Sequence, residues 1–289
     1  MAASVGSPAM RFGITMFPTD RSIRPDDLAR ETEARGFDSL WFPEHTHIPV
    51  SRLTPAPAGE PLAEEYYRSL DPMVALMAAA MATERIRIGT GIALVAQRDP
   101  ISAAKEVATL DLLSGGRFAY GVGYGWNKEE LADHGVAFGE RRDVVRERVL
   151  AMQRLWAEEQ AEFHGEHVSF DATFQWPKPV QRPGPPVLVG GSPGPKLFAH
   201  VAEYAQGWIP IGAAGIRESL PDLRKAMDEV GRDFDDLEIV PFGSEASAEK
   251  LDYFESIGIT EVVFRVPPAG ADQVLPILDR QAEVIASRA

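Results

Sequence analysis

Gly36-Phe37-Asp38-Ser39-Leu40-Trp41-Phe42-Pro43-Glu44-His45 is the stretch whose reading decides the fold. A helical pattern ends at Gly36, the apolar run Ser39–Glu44 has β character, and an acid and a histidine stand where it ends. Glycine just past a helix supplies the left-handed conformation that stops it. The helix before it opens at Pro25, with Asp26 and Asp27 in the first turn. Proline suits the first helical position, and carboxylates there oppose the positive end of the helix dipole. The stretch therefore reads as helix, stop, strand, and then polar side chains at the strand's C-terminal end.

That order recurs outward in both directions. β-rich runs fall at Arg11–Pro18, Ser39–Glu44, Ile86–Val95, Arg117–Gly125, Pro186–Gly191, Gly207–Gly212, Leu237–Gly243 and Glu261–Pro267, each followed by a helix-like segment. Such alternation predicts a parallel sheet flanked by helices. Eight such strands are the number that closes a (β/α)8 or TIM barrel. Asp71-Pro72 and Asp99-Pro100 read as N-caps followed by proline. Leu110 and Leu113 recur on one face of the next helix, which Ser114-Gly115-Gly116 ends. Leu150, Leu155 and Trp156, on the helix over 140–158, suit either the core or a subunit interface. Two stretches break the rhythm. Residues 45–70 hold Pro49, Pro55, Pro57 and Pro61 and read as a long loop, a lid over the site. Residues 160–185 read as a small hairpin and a proline-rich extended connection. The expected fold is a single α/β TIM-barrel domain over 11–289, with insertions after strand two and before strand five. Residues 1–10 read as a disordered start or tag remnant.

Composition narrows the function. The chain has 289 residues and no cysteine. This excludes a disulfide framework, a thiolate metal site and a cysteine nucleophile, and it is compatible with the cytoplasm. No signal peptide is visible, and no apolar run has the length of a transmembrane helix. The 29 basic against 43 acidic residues give a net charge of −14, which repels nucleic acid and anionic membranes.

In this kind of barrel chemistry gathers where strands end. Met16-Phe17-Pro18 ends strand one and suits either the floor of a flat-ring site or barrel-mouth packing. Glu44-His45 ends strand two, and an acid beside a histidine suits proton handling or anchoring of a cofactor. Gly89 and Gly91 in strand three mark a bulge, a close approach or a cramped inward position. Gly121-Val122-Gly123-Tyr124-Gly125-Trp126 is not the dinucleotide fingerprint, because Trp126 stands where the third glycine belongs. Gly191-Ser192-Pro193-Gly194-Pro195-Lys196 is not a Walker A loop either, but it leads into a helix whose N-terminus can hold phosphate. Pro193 and Pro195 have no amide hydrogen to add. No His-Glu-x-x-His motif points to a metal, and His200 with Glu203 reads as a helix-surface pair. No Gly-x-Ser-x-Gly elbow points to a serine hydrolase.

Taken together the segments resemble the luciferase-like monooxygenase superfamily, and most closely its branch that uses the deazaflavin coenzyme F420. The resemblance runs from about Arg11 to Gly212. It rests on Arg11-Phe12-Gly13-Ile14, Gly36 through His45, Asp71-Pro72-Met73-Val74-Ala75-Leu76 and Arg85 through Gly91. Leu112 through Arg117, Gly121 through Trp126, Pro177 through Gln181 and Gly190 through Pro193 complete it. The resemblance implies a flavin or deazaflavin ring in the barrel mouth and a non-proline cis peptide at Gly91-Ile92. It implicates Glu44 and His45 beside the ring as the catalytic pair, and Gly123, Tyr124 and Asn127 along it. It assigns the phosphate to Ser192, Pro193, Gly194 and Lys196, with Leu197 beside them. The chain departs from the family in carrying Glu44 where dehydrogenases commonly have aspartate, and in its extra prolines at 193 and 195. It also lacks a long insertion after strand seven, which leaves the loop after His45 to cover the substrate. The implied activity is hydride transfer between F420 and a small organic substrate. The alternatives are an FMN-dependent monooxygenase that activates O2, and a cofactor-binding barrel without turnover. A homodimer is the implied assembly, with no metal.

Overall fold

The computed structural model describes residues 10–288; the expectation for residues 1–9 lies outside them. The chain runs β1 (Arg11–Thr15), α1 (Pro25–Ala34), β2 (Ser39–Phe42), α2 (Glu65–Arg68), α3 (Pro72–Met81), β3 (Arg87–Thr90), α4 (Pro100–Leu113) and β4 (Phe118–Val122). It continues with α5 (Lys128–Asp133), α6 (Arg141–Ala157), β5 (Ala161–His164), β6 (Ser169–Thr173), β7 (Val187–Gly190), α7 (Pro195–Tyr204), β8 (Gly207–Ile209) and α8 (Ile216–Glu229). It ends with β9 (Glu238–Ile239), β10 (Phe242–Ser244), α9 (Ala248–Ser256), β11 (Glu261–Arg265) and α10 (Ala271–Ala286).

The helix starts follow the chemistry of the caps. Asp71 accepts from the amide of Val74, and Asp99 from that of Ser102, each with proline next in line. Gly36 ends α1 with φ of 79°. On α4, Leu110 is buried but Leu113 is exposed, so the shared face expected for them is corrected. Leu113 is the last residue of α4 and stands in solvent. Leu155 and Trp156 on α6 belong to the core.

Nine parallel strands form one curled sheet in the order β10-β11-β1-β2-β3-β4-β7-β8-β9. The antiparallel pair β5–β6 stands apart from it and matches the expected hairpin. The run expected as strand seven is two pieces, β9 and β10, because Pro241 between them has no amide hydrogen for a ladder. Both of its flanks remain bonded. Val240 and Phe242 donate to Trp208 and Pro210 on one side, and the amide of Val263 donates to Pro241 on the other, all at 2.9 Å. Phe242 also bridges Ile211 and pairs with Val263, so the two ends of the strand order meet here.

Apolar side chains lie in two sets. The larger one fills the space between sheet and helices. The smaller one holds Trp41, Ala119, Leu188, Ile209, Val240, Phe242 and Val263. Burying a phenylalanine such as Phe242 contributes about 1.5–3 kcal/mol. These rings explain two glycines. A Cβ on Gly89 would lie 2.2 Å from Trp41, and one on Gly91 would lie 2.2 Å from Phe242. No helix among the described residues is long and apolar enough to cross a membrane.

Candidate active site

A cavity of about 670 Å3 opens at the C-terminal ends of the strands. Glu44, His45, Gly91, Ile92, Gly123, Tyr124 and Ser192 line it, so the structure brings seven of the sequence-expected site residues together. The Gly91-Ile92 peptide in its wall is cis, as the resemblance implies.

His45 is held from both sides of its ring. Nδ1 lies 2.8 Å from Oε2 of Glu130, a buried carboxylate on α5. The indole Nε1 of Trp126 lies 3.2 Å from Nε2 of His45. An indole N–H is only a donor, so Nε2 accepts. That places the ring proton on Nδ1, donating to Glu130, and leaves the Nε2 lone pair on the Trp126 side. The other oxygen of Glu130 accepts from the amide of Thr46 at 3.2 Å. Glu130 therefore fixes both the tautomer and the chain direction after β2. Tyr66 lies 5.2 Å from the histidine ring and Phe17 lies 5.1 Å from Tyr66, which makes an aromatic wall with Trp126.

Glu44 faces elsewhere. Its carboxylate accepts from the amide of Leu94 and from Nε of Arg98, both at 2.7 Å. Arg98 also pairs with Asp71 and Glu106. Burial works against the charged form of Arg98, but these carboxylates more than offset it and raise its pKa. The pair therefore pins the chain just past Gly91-Ile92 to the end of β2.

Five expected residues stand differently from the rest. Asn127 is fully buried and does not line the cavity. Its side chain caps α5 by accepting from the amides of Glu129 and Glu130, the ordinary use of asparagine before a helix. Leu197 is buried under Gly191 and also lies outside the cavity. Pro193 and Lys196 are exposed beyond its edge. Gly194, the residue before α7, also lies off the lining. The helix-surface pair is corrected as well. Glu203 faces out to Arg146, but His200 is buried, with Nδ1 2.9 Å from the Tyr124 hydroxyl and 3.0 Å from that of Tyr204. Burial pushes the Tyr124 phenol up to about 12 and the His200 imidazole below its ordinary value.

Tyr66 on α2 and Arg265 at the end of β11 line the cavity without having been expected, and three more missed residues come from the segment after β4. Glu130, Trp126 and Arg141 all touch the cavity or its histidine. The signal for Glu130 was there: Asn127 is a cap, and two glutamates follow it in a first turn. Arg141 opens α6, lies over the ring of Phe138 at 3.5 Å, and has no carboxylate partner among the described residues. Its Nε is buried without a hydrogen-bond partner, as is Nη1 of the neighbouring Arg142. Burial, and then Arg142, lower the Arg141 pKa. Orphaned guanidinium donors beside a cavity fit an anionic group such as a phosphate.

The loop after His45 is tied down along its length. Glu129 accepts from the amides of Leu53 and Thr54 and from the Thr54 hydroxyl at 2.6 Å. Arg52 pairs with Glu60, Ser69 donates to the carbonyl of His45, and Arg265 at the end of β11 pairs with Glu65.

Comparison with known proteins matches this architecture. The chain belongs to the luciferase-like monooxygenase family, which matches residues 21–254. An uncharacterized protein of Mycobacterium tuberculosis is 42% identical over 281 residues, covering 96% of this chain and 99% of its own. An F420-dependent glucose-6-phosphate dehydrogenase of Kineococcus radiotolerans is 29% identical over 71% of this chain and 58% of its own. An FMNH2-dependent dimethylsulfone monooxygenase of Pseudomonas putida is 35% identical over 56% of this chain and 45% of its own. In fold, the chain is similar to the monooxygenase RslO1 of Streptomyces bottropensis, with TM-score 0.78 at 21% identity over 96% and 99% of the two chains. Related proteins are thus oxidoreductases of one family that use either F420 or FMN.

Proposed function

We propose that this protein is an F420-dependent oxidoreductase acting on a small organic substrate, built on a single (β/α)8 domain in which β9 and β10 count as one strand. The observation that carries the reading is the His45–Glu130 contact of 2.8 Å at the cavity, which leaves Nε2 as the acceptor nitrogen, turned to the Trp126 indole. Coenzyme F420, when bound, supplies hydride chemistry at C5. His45 accepts a substrate proton at Nε2, or returns it, once the substrate hydroxyl takes the place of the Trp126 indole N–H there, while Glu130 stabilises the imidazolium so formed. Glu44 acts beside it by holding Arg98 and the chain around Ile92. Gly91 and Gly123 let Phe242 and Ile92 pack close, and with Ile92 they line the cavity that a flat ring would enter. The cofactor's phosphate would be held from the Ser192–Lys196 side and by Arg141, whose orphaned Nε fits it.

The FMN-dependent reading is kept because the Pseudomonas relative is named for FMNH2. Titrating the full chain with F420 and with FMN decides between them. F420 binding at least tenfold tighter is the expected result, and FMN binding as tight or tighter overturns it. The same reading pairs two copies of the chain. Val74 and Met81 on α3 and Leu113 on α4 give an exposed apolar surface for the pairing, and the mass in solution tests it.

A further inference from the structure

The cavity has two electrically different sides. Arg141 follows β4, and Arg265 ends β11, four strands away in the sheet order. On the Arg141 side the cation is uncompensated. On the other side, where Phe17, Tyr66 and Trp126 form the wall, each basic side chain has its own carboxylate. Arg52, 5.8 Å from the Trp126 ring, pairs with Glu60. His45 bonds Glu130, and Arg265 pairs with Glu65.

The last pair is the informative one. Arg265 lines the cavity and its side chain is 55% exposed, so alone it would offer a guanidinium to any carboxylate that entered. Glu65 is 10% exposed and sits in α2 beside Tyr66, inside the loop that covers the site. It occupies the guanidinium before a ligand arrives. An anionic ligand there would have to displace Glu65 and leave a largely enclosed carboxylate without a partner. A flat uncharged molecule meets three aromatic faces and no such penalty.

We infer that this protein selects an uncharged, ring-bearing alcohol or carbonyl compound, and that Glu65 sets the selection by cancelling Arg265. The inference rests on the hydride-transfer reading for the reaction, though not for the binding. In the alcohol direction the carbon would give up a hydride, for which bound F420 would be the acceptor, and the oxygen would give its proton to Nε2 of His45 in place of the Trp126 N–H, so that a carbonyl forms. A substrate carboxylate takes no part in that balance, and the pocket excludes it.

Binding of benzyl alcohol and of benzoate to the full chain, measured by calorimetry with and without F420, tests this. Wild type should bind benzyl alcohol at least tenfold more tightly than benzoate. Glu65→Gln should tighten benzoate binding about tenfold, the low end for a charge-assisted contact because Arg265 is half exposed, and leave benzyl alcohol within twofold. Adding Arg265→Gln should erase that gain. If Glu65→Gln does not fold, Arg265→Gln alone reads the same pair: benzoate should weaken further while benzyl alcohol holds. The inference fails if wild type binds benzoate as tightly as benzyl alcohol, if it binds neither, or if the variants leave benzoate unchanged. Failure to bind F420 while both probes behave as stated would sink the proposed activity and leave the pocket's selectivity standing.

Discussion

The two ends of the curled sheet treat buried charge in opposite ways. At the end where strands begin, the first residues of β1, β3, β9 and β11 are Arg11, Arg87, Glu238 and Glu261. Arg11 reaches both glutamates at 3.0–3.1 Å, and Arg87 reaches the same two. Ser39 donates to Glu261 at 2.7 Å and itself accepts from Trp41 at 2.8 Å. Burial disfavours the charged Glu238, but Arg87 and Arg11 more than offset this, and its pKa falls below the ordinary value. These charges are matched by one another. At the other end Arg141 keeps an orphaned donor, and a cavity stands beside His45. A network that satisfies itself fixes the fold, whereas one that leaves donors open waits for a ligand.

Substitutions at each end should separate along that line. The largest effect is expected from His45→Ala, which should slow single-turnover hydride transfer about 10²–10⁴-fold at saturating F420, as general acid–base roles do. Its F420 affinity should change by less than about tenfold. Wild-type transfer rates with poor binding would make His45 an anchor instead. At the closed end, Glu261→Ala should lower stability by about 3 kcal/mol, since it strands Arg87 beside a single remaining carboxylate. Urea unfolding reads this, and F420 affinity should not move. If affinity moves instead, the two ends are not independent.

Arg141→Ala should weaken FMN and F420 about tenfold or more, the worth of a hydrogen bond between charged groups. Riboflavin, which has no phosphate, should bind both proteins alike. Equal losses for riboflavin and FMN would move Arg141 from phosphate recognition to cavity shape. The smallest effect concerns the loop after His45. The Thr54 hydroxyl first, then the Leu53 amide, hold the Glu129 carboxyl down from 4.5 to about 2. A depressed carboxyl stabilises the docked loop above its unfolded value and loses that contribution as pH falls through the folded one. Exchange protection of the Leu53 and Thr54 amides should therefore be flat from neutral pH down to about 5 and fall between about 4 and 2. Loss of protection already near pH 6 would show that Glu129 does not hold the loop.

Much of this was legible in the order of the residues. Period and punctuation located each strand of the parallel sheet, because Pro72, Pro100 and Gly36 mark helix ends through chemistry local to the chain. His45 was legible for the same reason, being the polar residue just past an apolar strand. Glu130 and Arg141 were not, because what makes them part of the site is distance across space: Glu130 meets His45 from 85 residues away. Asn127 shows the converse. Its sequence position suits both a cap and a ligand, and only packing shows that its oxygen is turned to the helix. Pro241 divides strand seven through a missing donor, which hydrophobic pattern alone does not register.

The pairing of β1 with β11 carries a consequence for how the chain is made. Arg11 and Glu261 are register partners, although they stand near opposite ends of the sequence. On the ribosome β1 has β2 beside it early, while its other edge stays open until nearly the whole chain has emerged. The last strand thus completes the first, and the open edge is a template for wrong pairing in the meantime. High sequence separation of this kind also slows closure. A chain stopped before Glu261 would carry His45, Tyr66, Trp126 and Glu130 but not Arg265, and would still present a bare strand edge, so the integrity of the site depends on a strand made long after His45.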